Sequence, residues 1–159
     1  MMKKSAGCII IHKFNDEWHI LLVHAAGSWK NRKMGIPKGL VEEKEPLNVA
    51  AERETFEETG LKVKIINSKP SLILENSYKK VYCFFAYLFH SQLKKIDEKL
   101  KVKSIDRDEV DYARFYPLNR AEELIYEYQK PVIKLVRDHI KRMKQITIYE
   151  ALQHLRHKL

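Results

Sequence analysis

The stretch that decides how this chain is read is Gly39-Leu-Val-Glu-Glu-Lys-Glu45-Pro-Leu-Asn-Val-Ala-Ala-Glu-Arg53-Glu54-Thr55-Phe56-Glu57-Glu58-Thr59-Gly60-Leu61. From Pro46 to Thr59 it reads as a helix. Pro46 suits a first helical position and Gly60 a left-handed stop, while Leu47, Ala50, Ala51 and Phe56 offer apolar contacts. On such a helix Glu54 and Glu58 lie one turn apart on the same face, with Glu57 beside them. Three carboxylates at this spacing repel one another and have hardly any intrahelical cation between them. They also occupy the last turn, where the helix dipole disfavours anions. A helix that needed only to be solvated would carry lysines there. A divalent cation relieves the repulsion, and carboxylate oxygens without soft thiolates favour a hard ion, Mg²⁺ or Mn²⁺.

The flanking sequence supplies the frame. Ala6 to Ile11 and Trp18 to His24 are apolar, β-branched runs joined by the polar 13–17 segment, and they predict a hairpin. Ala25 to Arg32 reads as a loop, and Met34-Gly35-Ile36-Pro37-Lys38-Gly39 as a tight bend. Val63 to Ser68, Ser71 to Leu74 and Val81 to Phe89 predict strands; the last is apolar on both sides of its alternation and so belongs inside a sheet. Gln92 to Asp108 is polar and reads as an irregular excursion, and Tyr112 to Tyr116 as a short strand. A helix follows around Arg120 to Tyr128, and Lys130-Pro131 breaks it. From Pro131 to Lys144 a second helix places Val132, Leu135, Val136, His139, Ile140 and Met143 at intervals of three and four. This gives one domain over 1–144 and a helical extension or tail over 145–159. Ile146, Ile148, Leu152 and Leu155 lead us to expect that the tail packs rather than hangs free.

Composition bounds the class. The 159 residues are 45% apolar and 32% charged, with five glycines and five prolines, which excludes disordered and collagen-like chains. No run approaches the ~20 apolar residues of a membrane span. The basic start Met1-Met2-Lys3-Lys4 leads into an apolar run broken at His12 and Lys13, without a small-residue cleavage site, so it does not read as a signal peptide. Cys8 and Cys83 lie far apart in strand-like runs and read as reduced core thiols of a cytoplasmic protein. The net charge is +9, but residues 130–159 hold eight Lys/Arg against Asp138 and Glu150. The excess is therefore a property of the C-terminal segment, where a solvated helix face is the plainer reading than a nucleic-acid track.

The whole stretch resembles the Nudix box, G-x5-E-x7-R-E-U-x-E-E-x-G-U, in which U is a bulky apolar residue. Gly39, Glu45, Arg53, Glu54, Glu57, Glu58, Gly60 and Leu61 all fall in register, and Thr55 is the one departure, with Phe56 expected to fill part of that packing. The resemblance covers roughly residues 5–140. It implies an α+β fold, an α/β/α sandwich with a mixed sheet between helices. It also implies hydrolysis of a nucleoside diphosphate linked to another moiety, by water attacking a phosphorus. Carried over position by position, Glu54, Glu57, Glu58 and the backbone carbonyl of Lys38 resemble the metal ligands. Glu45 and Arg53 resemble the pair that braces the loop against the helix. Family members take the general base from a box glutamate or from a later loop, so Glu57, Glu58 and Glu109 are the candidates, and Glu109 is preferred.

Pro37-Lys38-Gly39 is similar to the loop of dinucleoside polyphosphate and diphosphoinositol polyphosphate hydrolases, and replaces the Pro-Gly-Gly of enzymes that clear oxidised guanine triphosphates. Signatures of the ADP-ribose and coenzyme A subfamilies are not evident. The substrate expected is a dinucleoside polyphosphate or nucleoside triphosphate. Lys38 and either Lys79 or Lys80, with Lys80 preferred, would meet phosphates, and Trp29 and Tyr82 would stack on a base. The alternatives are hydrolysis of RNA 5′ ends along the basic C-terminus, hydrolysis of inositol pyrophosphates, and a non-catalytic nucleotide-binding module. The last is disfavoured because all box glutamates are present. Partners expected are the nucleotide or polyphosphate and no membrane, with a homodimer contact through the C-terminal helix left open.

Overall fold

The polypeptide begins with a long strand, β1 (Lys3–Phe14), that turns through Asn15 and Asp16 into β2 (Glu17–Ala25). Both turn residues have positive φ, 51° and 63°, the geometry of a two-residue hairpin turn whose twist matches the strands, and Asn and Asp tolerate it well. The computed structural model describes residues 2–28 and 30–158. The further elements are β3 (Lys38–Leu40), α1 (Leu47–Thr59), β4 (Val63–Ile65), β5 (Leu72–Glu75), β6 (Lys79–Leu88), β7 (Val110–Pro117), α2 (Leu118–Leu124) and α3 (Pro131–Lys158). Short 3-10 turns at His90–Lys95 and Glu127–Gln129 fill the connections.

The strands form one mixed sheet in the order β4-β6-β1-β2-β7, with β3 on β1 and β5 on β6. β1 and β6 run parallel, while the remaining pairs are antiparallel. Period-two alternation divides the apolar side chains between two cores. Ala6, Cys8 and Ile10 of β1, Leu21 and Val23 of β2, and Phe84, Ala86 and Leu88 of β6 face α1 through Ala50 and Ala51. Ile9, Ile20, Leu22, Val81, Cys83 and Phe85 face Ala121, Val132, Ile133, Val136 and Ile140 of α2 and α3. This is the expected α/β/α sandwich, and β6 is the interior strand its two-sided apolarity foretold. Cys8 and Cys83 fall on opposite faces, free and buried, with both thiols pushed up to about 12 chiefly by burial.

The feature that builds the site is a split in the sheet. β1 pairs with β2 only over Ile11–Phe14, and its other half, Ser5–Gly7, pairs with β3. The 35–40 segment is wedged into the gap: Val23 and Gly35 exchange backbone hydrogen bonds of 2.8 and 3.0 Å, and Cys8 N–H donates to the Pro37 carbonyl at 3.1 Å. A Cβ on Gly7 would meet that carbonyl at 2.5 Å, so the close approach requires glycine. Gln129, fully buried, props the wedge from behind by accepting from the Ile36 N–H at 3.0 Å.

Three expectations change here. Phe56 does not pack into the core; it is exposed, and the Lys95 ammonium lies 6.0 Å from its ring. Thr55 is the fully buried residue, its hydroxyl donating back to the Ala51 carbonyl at 2.9 Å, a bond an aliphatic side chain would not need. The final helix does not stop at Lys144 but runs unbroken to Lys158, and Ile146, Ile148, Leu152 and Leu155 are 56–60% exposed rather than packed. Helical periodicity continues through the segment, whose apolar residues stay mostly exposed; Thr147 and Ile148 still border a cavity with Lys13 and Trp18 of the hairpin.

Truncation after Lys144 tests this division. Because the removed turns bury almost nothing, the urea midpoint should move little. Phe84→Ala, which empties a fully buried site between β6 and α1, should cost about 3–5 kcal/mol.

Candidate active site

Arg53 organises the acidic end of α1. Its Nε donates to Glu45 Oε2 at 2.7 Å and its Nη2 to Glu45 Oε1 at 2.9 Å, a bidentate pair that spans the loop before the helix. Nη2 also donates to the Leu40 carbonyl at 3.0 Å, and Nη1 reaches Glu54 at 2.9 Å and Glu57 at 3.0 Å. The guanidinium holds the Glu45 carboxyl down at about 2, and its own pKa rises, so the pair is ionised throughout the working pH range. Glu45 and Arg53, expected as a brace, are thus directly bonded. The idea that these glutamates lack an intrahelical cation needs correction: Arg53, adjacent to Glu54 and one turn before Glu57, contacts both. Helical spacing foretells the Glu57 contact, four residues on, whereas the Glu54 contact depends on the direction of the side chain.

Glu58 is different. It is buried, and the Lys38 backbone N–H donates to its Oε2 at a long 3.4 Å. Burial, with repulsion from Glu54 and Glu109, pushes its carboxyl up to about 8 against the pull of Lys38. Glu54 shifts upward as well, first through burial and then, against Arg53, through Glu57 and Glu109. Glu109 thus lies near enough to Glu54 and Glu58 for its charge to act on both. It stands on the turn before β7, where Asp106 organises the backbone. The Asp106 N–H donates to the Glu58 carbonyl at 3.0 Å, and the Asp106 carbonyl accepts from Glu109 and Val110 at 3.1 and 2.9 Å. Asp106 and Gln129 are positioning residues that the sequence did not single out. Asp106 lies in an acidic run with no spacing signature, and the burial of Gln129 is a property of the fold.

Gly39 explains itself in this setting. A Cβ there would fall 2.0 Å from the Glu54 carboxyl, so the bare backbone lets the carboxylate lie against β3. On the same strand a cleft of about 430 Å³ opens, lined by Lys3, Ser5, Lys38, Gly39, Leu40, Asn76, Tyr78 and Lys79. Burial and the neighbouring Lys38 and Lys3 lower the Lys79 ammonium. Lys79, not Lys80, belongs to this cleft: adjacent strand residues point to opposite faces, and Lys80 pairs in register with Lys4 and Glu75. Tyr82 is half-buried against the core that faces α1, opposite Ile73 in register. Trp29 lies outside the described residues.

A family model, the NUDIX domain, matches residues 1–136. The chain belongs to the Nudix family. Among solved structures, it resembles an Ap4A hydrolase of C. elegans in a binary complex (22% identity, TM-score 0.68, 88% of this chain and 98% of that one). It also resembles a mutT/nudix family protein from Listeria innocua (19%, 0.63, 91% and 97%). A third is the NUDIX domain of Shewanella oneidensis NrtR complexed with ADP ribose (13%, 0.63, 88% and 89%). At these identities the likeness speaks for the fold. Among curated proteins no sequence matches it significantly. No helix among the described residues is long and apolar enough to cross a membrane.

The oxygens that this Nudix domain offers would suit a hard cation: the carboxylates of Glu54, Glu57 and Glu58 and the Lys38 carbonyl include no soft donor. Among the described residues no three such side chains converge as a cage, and Arg53 holds Glu54 and Glu57. The raised Glu58 carboxyl gives a direct test. Between its ordinary value of 4.5 and about 8 the folded state binds more protons than the unfolded chain, so stability falls as pH rises through that window. Glu58→Gln should therefore raise the melting temperature of metal-free protein above about pH 8 and change it little below pH 5. Added Mg²⁺ should stabilise the wild type, by about 2.7 kcal/mol at a hundredfold excess over Kd, and the variant much less.

Proposed function

We propose that the protein hydrolyses a pyrophosphate bond in a dinucleoside polyphosphate or nucleoside triphosphate, with Mg²⁺ or Mn²⁺ as cofactor. The observation that carries this reading is the juxtaposition at β3. Next to Gly39 lies the Glu54 carboxylate, while Lys38 and Gly39 also line a cleft with Lys3 and Lys79. A chain of phosphates can lie along the ammonium groups and present one phosphorus to the carboxylate cluster.

Glu54, Glu57, Glu58 and the Lys38 carbonyl would hold the divalent ion. When bound, it neutralises charge on the phosphate oxygens and acidifies water. The protein's own part is to place groups. Glu109, carried to the cluster by the Asp106 turn, accepts the proton of the attacking water. The new bond is water oxygen to phosphorus, and the bond broken is the bridging P–O of the anhydride, whose phosphate leaves with its electron pair. Lys38 and Lys79 stabilise the departing polyphosphate. The full set of box glutamates separates this reading from a binding-only module.

Turnover should be measured with Mg²⁺ on dinucleoside polyphosphates, nucleoside triphosphates, ADP-sugars, inositol pyrophosphates and 5′-triphosphate RNA. The first two should be preferred, and preference for ADP-sugars would reject the choice of substrate. Glu57→Gln and Glu58→Gln should abolish activity. Glu109→Gln should lower kcat about 10²–10⁴-fold with metal affinity unchanged. Lys79→Ala should raise KM for the polyphosphates without comparable loss of kcat.

A further inference from the structure

His24, at the end of β2, makes two side-chain contacts that demand a particular charge state. Its Nδ1 lies 2.7 Å from the Asp111 carboxylate on β7, and its Nε2 contacts the backbone carbonyl of Asn31. A carboxylate and a carbonyl offer only acceptors, so both ring nitrogens must donate, and only the imidazolium has two N–H groups. A neutral ring would turn a lone pair on one of the two oxygens. The side chain is 14% exposed, while its Asp111 partner is 45% exposed.

The position matters because of what the ring joins. Asp111 is two residues beyond Glu109, and the Glu109 carbonyl accepts from the Ala26 N–H at 3.1 Å. The pairing of β2 with β7 shifts register between His24 and Ala25, so the ladder alone does not fix the Glu109 turn there. Asn31, on the other side, lies on the segment leading to the wedge that delivers Lys38. We propose that His24 is a positioning residue: as an imidazolium it clamps the Glu109 turn to the Asn31 segment and so fixes the Glu109 carboxylate against the glutamates of α1. This rests on Glu109 being the base in the function proposed above.

The two direct contacts favour the charged ring, and the cations around Asp111 oppose it. β7 presents Asp111, with Tyr112 directly opposite His24 in register. Lys101, Lys103 and Arg107 line a groove with Asp111. From the loop side Lys33 is turned away, donating to the Glu123 carbonyl. The Asn31 carbonyl and then Asp111 raise the imidazole above its usual 6.5. The clamp is therefore complete below that value and is lost as pH rises through the raised one.

Nitrogen-detected NMR of the His24 ring in the full-length wild type reads the clamp directly, whatever the chain hydrolyses. Two slowly exchanging N–H groups are expected at pH 6, with titration above the ordinary value; a single N–H at pH 6 overturns the proposal. His24→Phe and Asp111→Asn should each lower kcat about tenfold or more, leaving KM and Mg²⁺ affinity within about twofold. Each should also speed tryptic cleavage after Arg32. The wild-type kcat should fall on the alkaline side with the NMR titration of His24, and that limb should vanish in His24→Phe. Variants with wild-type kcat and pH profile would overturn the positioning role. Should His24→Phe fail to fold, Asp111→Asn and the wild-type spectrum decide. A wild type inactive on every pyrophosphate would refute the proposed function instead, and the spectrum and the cleavage pattern would still judge the clamp.

Discussion

One guanidinium holds the acidic end of α1 together. Arg53 binds Glu45 bidentately, the Leu40 carbonyl, Glu54 and Glu57, and each of these contacts joins parts of the chain with different jobs. Glu45 ties down the entry loop, Leu40 the end of β3, and Glu54 and Glu57 the carboxylates. A lysine could neutralise one of these groups but could not address four directions from a rigid plane. The bare backbone at Gly39 is held against the Glu54 carboxylate through this bracket.

The second constraint is topological. A hairpin that paired along its whole length would leave no room for the 35–40 segment. β1 surrenders half of its edge to β3, and β2 compensates by pairing with β7. The arrangement lets one short segment touch both the carboxylate cluster and the lysine-lined cleft. It also explains the tight glycine at position 7, which has no role in chemistry.

Much of this was legible from residues alone, for identifiable reasons. The alternation in β1, β2 and β6 reports which side of the sheet each residue faces, and the structure sorts them that way. Glu54, Glu57 and Glu58 lie within five consecutive residues of one helix, so helical geometry alone brings them together. Glu109 was reachable only by resemblance, since fifty residues of chain separate it from Glu58 and no period links them. Lys79 against Lys80 turned on the phase of a strand, which a one-residue shift inverts. Phe56 was misplaced because an apolar residue in a helix suggests burial, yet the buried neighbour is Thr55, whose hydroxyl is satisfied within its own helix. The exposed half of α3 shows the limit of periodicity: it announces a helix but not whether a surface waits to receive it.

The two cysteines have a practical consequence. With thiols pushed to about 12 and sealed on opposite faces of the sheet, Cys8 and Cys83 offer almost no thiolate near neutrality. The folded domain should accordingly resist alkylating reagents and mild oxidants. A single cysteine placed on the projecting part of α3, at Tyr149 for instance, would be its sole reactive sulfur. That gives a chemically clean point for attaching a dye or a surface tether, well removed from the carboxylates, without first replacing either native thiol.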